Sequence, residues 1–209
     1  MLAALDNGVK GHKWFSLIDK VYRHSTLQAA WEQVKANKGA AGIDRQSIEA
    51  FASNELAYLC ELANDLEQRN YRPQAVRRVA IPKAGSKTRP LGIPTVKDRI
   101  VQTAVKRVIE PIFAKAFLPM SYGFRPGRGC KDALREVNEH LTAGYTHVVD
   151  ADIKGYFDSI EHDLLMTRIE EHISDQRLQG LLQSWLAQDK SQRAGALDAY
   201  GRHPARGGH

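Results

Sequence analysis

The segment Thr146–Ile160, THVVDADIKGYFDSI, sets a β-branched pair, Val148 and Val149, directly before three aspartates: Asp150, Asp152 and Asp158. Valine and isoleucine predict a strand whose apolar side chains are buried, and an unpaired carboxylate is expensive to bury with them. Alternation along such a strand places Asp150 and Asp152 on one face and Val149, Ala151 and Ile153 on the other. Two carboxylates on one face near a strand end suit a hard divalent cation, which takes oxygen ligands. An ordinary strand end with acidic capping residues accounts for the same letters, so the surrounding chain has to decide.

Upstream, charge is unevenly spread. The chain of 209 residues carries a net charge of +6, and between Arg69 and Arg107 eleven Lys/Arg residues face a single acid, Asp98. Such a block is a solvated face or a phosphate-binding surface. Apolar segments interrupt it, which excludes a disordered basic tail. Val76–Pro82 (VRRVAIP) alternates as a strand, Lys83–Thr88 (KAGSKT) is a polar loop, and Arg89–Pro94 (RPLGIP) returns as a second extended segment. The hairpin is a natural anion clamp, because Arg offers a planar donor fork and Lys a compact charge. Arg77, Arg78 and Lys87 extend its basic surface.

Around the hairpin the pattern is helical. The first residues form a short amphipathic arm around Trp14, Phe15, Leu17 and Ile18. Thr26 is a candidate cap for a helix through Leu27, Ala30, Trp31 and Val34. Asp44 or Ser47 caps the next, which turns Ile48, Phe51, Leu56, Leu59, Leu62 and Leu66 inward. Lys97–Leu118 is periodic, but Pro111 inside it predicts a kink or a split. Ser121–Gly129 (SYGFRPGRG) interleaves Tyr122 and Phe124 with Arg125 and Arg128, a composition suited to stacking on bases and contacting phosphates; plain packing beneath a loop explains the aromatics equally. A helix over Lys131–Leu141 precedes the aspartates, and amphipathic helices over His162–Ile173 and Asp175–Ala187 follow them.

With 43% hydrophobic residues the chain can bury a core as one domain or two small lobes. It has no apolar run long enough to span a bilayer and no secretory layout at its start, so no membrane partner is expected. Cys60 and Cys130 stand apart without metal-ligand spacing, which argues against zinc or a disulfide framework and fits a cytoplasmic location.

Four stretches in order, KGAAGID, IPKAGSKTRPLGIPTVKDRIVQTAV, SYGFRPGRGCKDAL and DADIKGYFDSIEHDLL, resemble the reverse transcriptases encoded by group II introns and, more loosely, those of retrons. A small departure within these stretches is Arg45, where the family often has Gly after the Asp matched by Asp44. The resemblance implies an α+β fold of reverse-transcriptase fingers plus a partial palm, mostly helical, with a basic β-hairpin and a short palm sheet. It divides the chain into an arm (1–25), fingers (26–120), a partial palm (121–202) and an off-family tail (203–209). It implies RNA-directed DNA polymerase chemistry with RNA template or intron RNA, DNA primer and deoxynucleoside triphosphates as partners, and Mg²⁺ as cofactor.

Residue by residue, it makes Asp152 the metal-binding catalytic aspartate, with Asp150 secondary and Asp158 a structural cap. Ile153 supplies a backbone carbonyl to the metal, Phe157 packs under the incoming sugar, and Lys83 and Arg89 grip the triphosphate. Two-metal transfer needs ions about 3.5–4 Å apart, held by more than one carboxylate source. The family's second source is a Tyr-x-Asp-Asp hairpin, and this sequence contains no Asp-Asp pair. It also lacks the family's Gly-Thr-Pro-Gln-Gly-Gly stretch. The string GGC ACC CCG CAA GGG GGG GTC AT encodes that stretch, and without its leading GG it reads His-Pro-Ala-Arg-Gly-Gly-His, the tail at 203–209. A frameshift near Arg202 and a catalytically incomplete product are therefore expected, with a non-catalytic RNA-binding fragment as the alternative function.

Overall fold

Two helices built on apolar stripes carry the core. His24–Asn37 (α2) buries Leu27, Ala30, Trp31 and Val34, and Val96–Ala114 (α5) buries Val96, Ile100, Val101, Ala104, Val105, Val108 and Ile112. These two make the most extensive helix–helix contact in the chain. Both stripes follow the three-and-four spacing that sets one helix face against a neighbour. A computed structural model describes residues 9–10, 13–83 and 87–200; the side chains of Val9, Lys10, Lys83, Lys87, Arg89 and Asp158, and those of residues 189–200, are outside the description.

The described elements run in order as β1 (Val9–Lys10), β2 (Lys13–Trp14), α1 (Ile18–Val21), α2, α3 (Ile48–Ala52), α4 (Glu55–Glu67), β3 (Arg77–Lys83), β4 (Lys87–Ile93), α5, α6 (Cys130–Thr142), α7 (Tyr156–Ser159), α8 (His162–Glu170) and α9 (Gln176–Tyr200). The predominantly helical α+β class expected from the sequence is the one observed. The basic hairpin forms with Arg77 opposite Ile93, Ile81 opposite Arg89 and Lys83 opposite Lys87.

Several local expectations change. α2 begins at His24 behind Arg23, and Thr26 lies buried within its first turn, so it is not the cap. Ser47 does cap α3, its hydroxyl accepting from the Ala50 amide at 3.1 Å. The next helix is not continuous: a break at Ser53 and Asn54 restarts it as α4, whose buried stripe begins at Leu59 and leaves Leu56 exposed. Pro111 neither splits nor ends α5, which continues past it to Ala114, so the expected interruption does not occur. Phe15 is half exposed, whereas Trp14, Leu17 and Ile18 join the core.

Segments distant in sequence, around Trp14–Ile18 and His172–Leu178, meet in that core. Trp14 donates its amide to the His172 carbonyl at 2.8 Å and accepts from the Ser174 amide at 2.7 Å, a one-residue parallel bridge beside Ile173. Asp175, 5% exposed, caps two helices at once. One oxygen accepts from the Leu17 and Ile18 amides at 2.7 and 2.8 Å, at the start of α1. The other accepts from Arg177 and Leu178 at 3.0 and 3.1 Å, at the start of α9. A carboxylate answers orphan amides at a helix start and complements the positive end of its dipole.

Residues 145–153 are not a strand. They run as exposed irregular chain, with Val148 78% and Val149 93% exposed, and the short palm sheet is absent among the described residues, whose strands pair only as β1–β2 and β3–β4. A strand requires a neighbour to take its amides and carbonyls, and none of the described segments lies alongside this one. α6 is amphipathic but buries no residue, so Leu134, Val137 and Leu141 remain exposed.

Candidate nucleic-acid and nucleotide interface

The hairpin is anchored from below by a buried acid. Asp98, 2% exposed, accepts from the Tyr71 hydroxyl at 2.6 Å, the Thr95 hydroxyl at 2.8 Å and the Gln74 amide at 3.2 Å. Thr95 in turn accepts from the Asp98 amide at 3.0 Å, a reciprocal cap on α5. Burial, reinforced by the Asp98 carboxylate, pushes the Tyr71 phenol well above its ordinary range. Residues 71–74 lead into β3 and Thr95 follows β4, so this one carboxylate ties both ends of the hairpin to the helical core. Sequence reasoning counted Asp98 only as the lone acid of the basic block; the pattern Thr95-x-x-Asp98 ahead of an apolar run was the signal for its capping role.

A second anchor is the loop 38–45. Arg99 donates to the Lys38 and Ala40 carbonyls at 3.3 and 3.0 Å, and Arg77 donates to the Ala41 carbonyl at 2.9 Å. Burial lowers the Arg99 guanidinium from its ordinary value, an effect the Asp44 carboxylate opposes. Gly42 passes so close to α5 that a Cβ there would lie 2.6 Å from the Thr95 Cα. Arg45 sits at φ 61°, in the left-handed region, which is the physical reason glycine suits that position.

The expected nucleotide and nucleic-acid residues divide into three groups. Arg77 is half-buried and committed to the loop, while Arg78 is exposed beside it on β3. Lys83, Lys87 and Arg89 occupy the tip of the ladder, Lys83 paired with Lys87; their side chains lie outside the described residues. Arg125 and Arg128 fold their own loop. Arg125 donates to the Leu118 and Ser121 carbonyls at 2.8 and 3.0 Å and lies over Phe117, while Arg128 donates to the Pro119 carbonyl and lies over Tyr122. Phe124 is left 98% exposed.

The aspartate segment stands apart from these. Asp150 and Asp152 are exposed, with no hydrogen bond or ion pair among the described residues, and Ile153 is 65% exposed. Phe157 is 75% exposed, and its ring lies tilted against that of Tyr156 with centroids 5.5 Å apart. No group of three or more His, Cys, Asp or Glu able to hold a metal occurs among the described residues. Asp150 and Asp152 therefore do not fit a two-metal centre by themselves. The Asp158 side chain and the tail at 203–209 are outside the described residues. No helix is long and apolar enough to cross a membrane among those residues.

Comparison with known proteins agrees with the motif order. The chain is 40% identical over 164 residues to protein YkfC of Escherichia coli K12, covering 77% of this chain and 41% of that protein. It is 35% identical over 184 residues to the group II intron-encoded protein LtrA of Lactococcus lactis subsp. cremoris, covering 87% of this chain and 29% of LtrA. A mitochondrial nuclear intron maturase 1 of Arabidopsis thaliana matches at 30% over 93 residues, 44% of this chain and 13% of that protein. The chain thus spans about two fifths of YkfC and less than a third of LtrA. Residues 81–205, more than half of the chain, match the family model described as reverse transcriptase (RNA-dependent DNA polymerase), and with β4 and the DIKGYFD segment both inside that match, the chain belongs to the reverse transcriptase family.

Proposed function

We propose that this chain supplies the fingers and the first part of the palm of a group II intron-type reverse transcriptase, gripping primed RNA through its basic hairpin. In this reading residues 26–120 are the fingers, 121–202 a partial palm, and 1–25 an arm. The observation that carries it is the basic block itself: a hairpin rich in Lys and Arg, held rigidly by Asp98 beneath it and by the Arg77–Ala41 bond beside it. A hairpin backbone already held in place leaves less to be ordered when its cationic side chains meet phosphates. Lys83 and Arg89 serve the triphosphate of a deoxynucleotide, Phe157 the sugar, and Arg78, Lys87, Arg125 and Arg128 the template–primer backbone, with Arg77 fixing the hairpin edge. The cytoplasm, where unpaired thiols such as Cys60 and Cys130 persist, is the proposed compartment.

Whole enzymes of this kind join nucleotides with two Mg²⁺ ions, and Asp152, with the Ile153 carbonyl, is the proposed contribution of this chain to that donor set. The set is not complete among the described residues, and the sequence has no Asp-Asp pair. We therefore assign the isolated chain RNA binding without polymerisation. Primer extension on a primed RNA template, with Mg²⁺ and all four deoxynucleotides, tests this. No extended product is expected; template-dependent synthesis by the 209-residue chain would overturn the assignment.

A further inference from the structure

A cleft of about 500 Å³ opens between the C-terminal end of α4 and the first turns of α9, and none of the residues lining it comes from the 146–160 segment. Three arginines line it, Arg69, Arg72 and Arg177, and no carboxylate does. Asp19, Asp65, Glu67 and Asp175 adjoin lining residues in sequence without lining the cleft themselves, and Asp175 has its oxygens taken by four main-chain amides. Main-chain carbonyls orient two of the guanidiniums. Arg72 donates through one terminal nitrogen to the Arg69 and Tyr71 carbonyls at 2.7 and 2.9 Å, and Arg177 through one to the Leu66 and Glu67 carbonyls, both at 2.8 Å. Each keeps its remaining donors. Arg69 is exposed, makes none of the hydrogen bonds or ion pairs that occupy the other two, and is held in the left-handed region at φ 63°.

The floor is apolar: Leu66, Pro73 and Leu181. At Gly180 a Cβ would meet nothing within 4 Å, so the helix there leaves open the space a side chain would take. A cleft of this size, with an apolar floor and a few oriented cations, has the dimensions and composition of a small-molecule site. Guanidinium forks match phosphate geometry, and the floor suits a flat ring.

We propose that this cleft binds a nucleoside monophosphate unit, its phosphate on Arg69 and Arg72 and its base against the Leu66–Pro73–Leu181 floor. The unit can come from a free mononucleotide or from the 5′-phosphorylated end of an oligonucleotide. This is independent of the polymerase reading, since it uses none of those residues.

The test is calorimetric titration of the 209-residue chain with adenosine 5′-monophosphate, adenosine and inorganic phosphate. The monophosphate should bind at least about tenfold more tightly than either half, as expected when both a charge-assisted contact and an apolar contact are needed. Arg69→Gln, at a residue that caps nothing, and Gly180→Leu, which fills the cleft, should each weaken binding about tenfold while the thermal unfolding midpoint holds. Equal binding of adenosine, equal binding of phosphate, or unchanged affinity in Arg69→Gln would overturn the proposal. A 5′-phosphorylated oligoadenylate binding more tightly than the monophosphate, with the same loss in Arg69→Gln, assigns the source to an RNA end; equal affinity assigns it to free nucleotide.

Discussion

The Tyr71 hydroxyl lies 2.6 Å from the Asp98 carboxylate, joining the segment that enters the hairpin to the first turn of the helix that follows it. That carboxylate accepts two further hydrogen bonds, from the Thr95 hydroxyl and the Gln74 amide. Replacing Asp98 by Ala strands these donors in a buried site, and should cost about 2–4 kcal/mol of unfolding free energy in urea titration. An effect below about 0.5 kcal/mol would show that the hairpin base is held by packing alone.

The same pair sets an alkaline limit. Burial, and then the Asp98 charge, raise the Tyr71 phenol above its unfolded value. The folded state therefore holds its proton more tightly than the unfolded chain. The associated stability is fully present below the ordinary tyrosine range near pH ~10 and declines as pH rises above it. Tyr71→Phe should remove that part of the decline, read from unfolding midpoints between neutral and strongly alkaline pH. A wild-type profile retained in Tyr71→Phe would refute a Tyr71 origin for the alkaline loss.

Backbone geometry around the loop 38–45 makes two opposite predictions. Arg45 at φ 61° bears a left-handed conformation that only glycine adopts freely, so Arg45→Gly should stabilise the fold by about 0.5–1 kcal/mol. Gly42→Ala should destabilise it by about 1–3 kcal/mol, because the new methyl meets the backbone of Thr95 and Pro94. Denaturant midpoints of the two variants, measured side by side, check both signs.

Asp175 holds four amides at the starts of two helices that lie far apart in sequence. Asp175→Ala should cost about 2–4 kcal/mol, more than an ordinary single cap, and hydrogen exchange should accelerate at Leu17 and Ile18 as well as at Leu178. Acceleration confined to α9 would contradict the double cap.

The exposed apolar surface of α6 carries a solubility prediction. Leu134, Val137 and Leu141 form a stripe on α6 that no described residue covers. Leu134→Glu with Val137→Lys should raise the concentration at which the chain aggregates, with unfolding free energy changed by less than about 0.5 kcal/mol. A clear loss of stability in that pair would mean the stripe is packed in solution.

Much of the helical framework was legible because apolar spacing is a direct image of burial: the stripe of α2 was read residue by residue, and α5 from the periodicity of Lys97–Leu118. The hairpin was legible from alternation around a Gly-bearing polar loop. Leu56 was misread because periodicity continues through a break that Ser53 and Asn54 impose locally. Asp98 and Asp175 were missed because a buried carboxylate looks like a surface one until the donors that converge on it are known, and two of the four amides that meet Asp175 come from residues more than 150 positions away. The Val148–Ile153 strand illustrates the converse. Its letters carry strand propensity, but a strand exists only as one partner of a ladder, and propensity says nothing about whether the partner is present.

The basic hairpin edge is the surface proposed to grip nucleic acid, and the proposed RNA-binding function depends on that grip. Fluorescence anisotropy of a labelled primed RNA template, titrated with the 209-residue chain across a salt series, measures it directly. The log of the association constant should fall linearly with the log of salt concentration at a slope of about −3 or steeper, as several phosphates exchange their counterions for lysine and arginine. Absent binding at low salt, or an affinity that salt does not change, would contradict it.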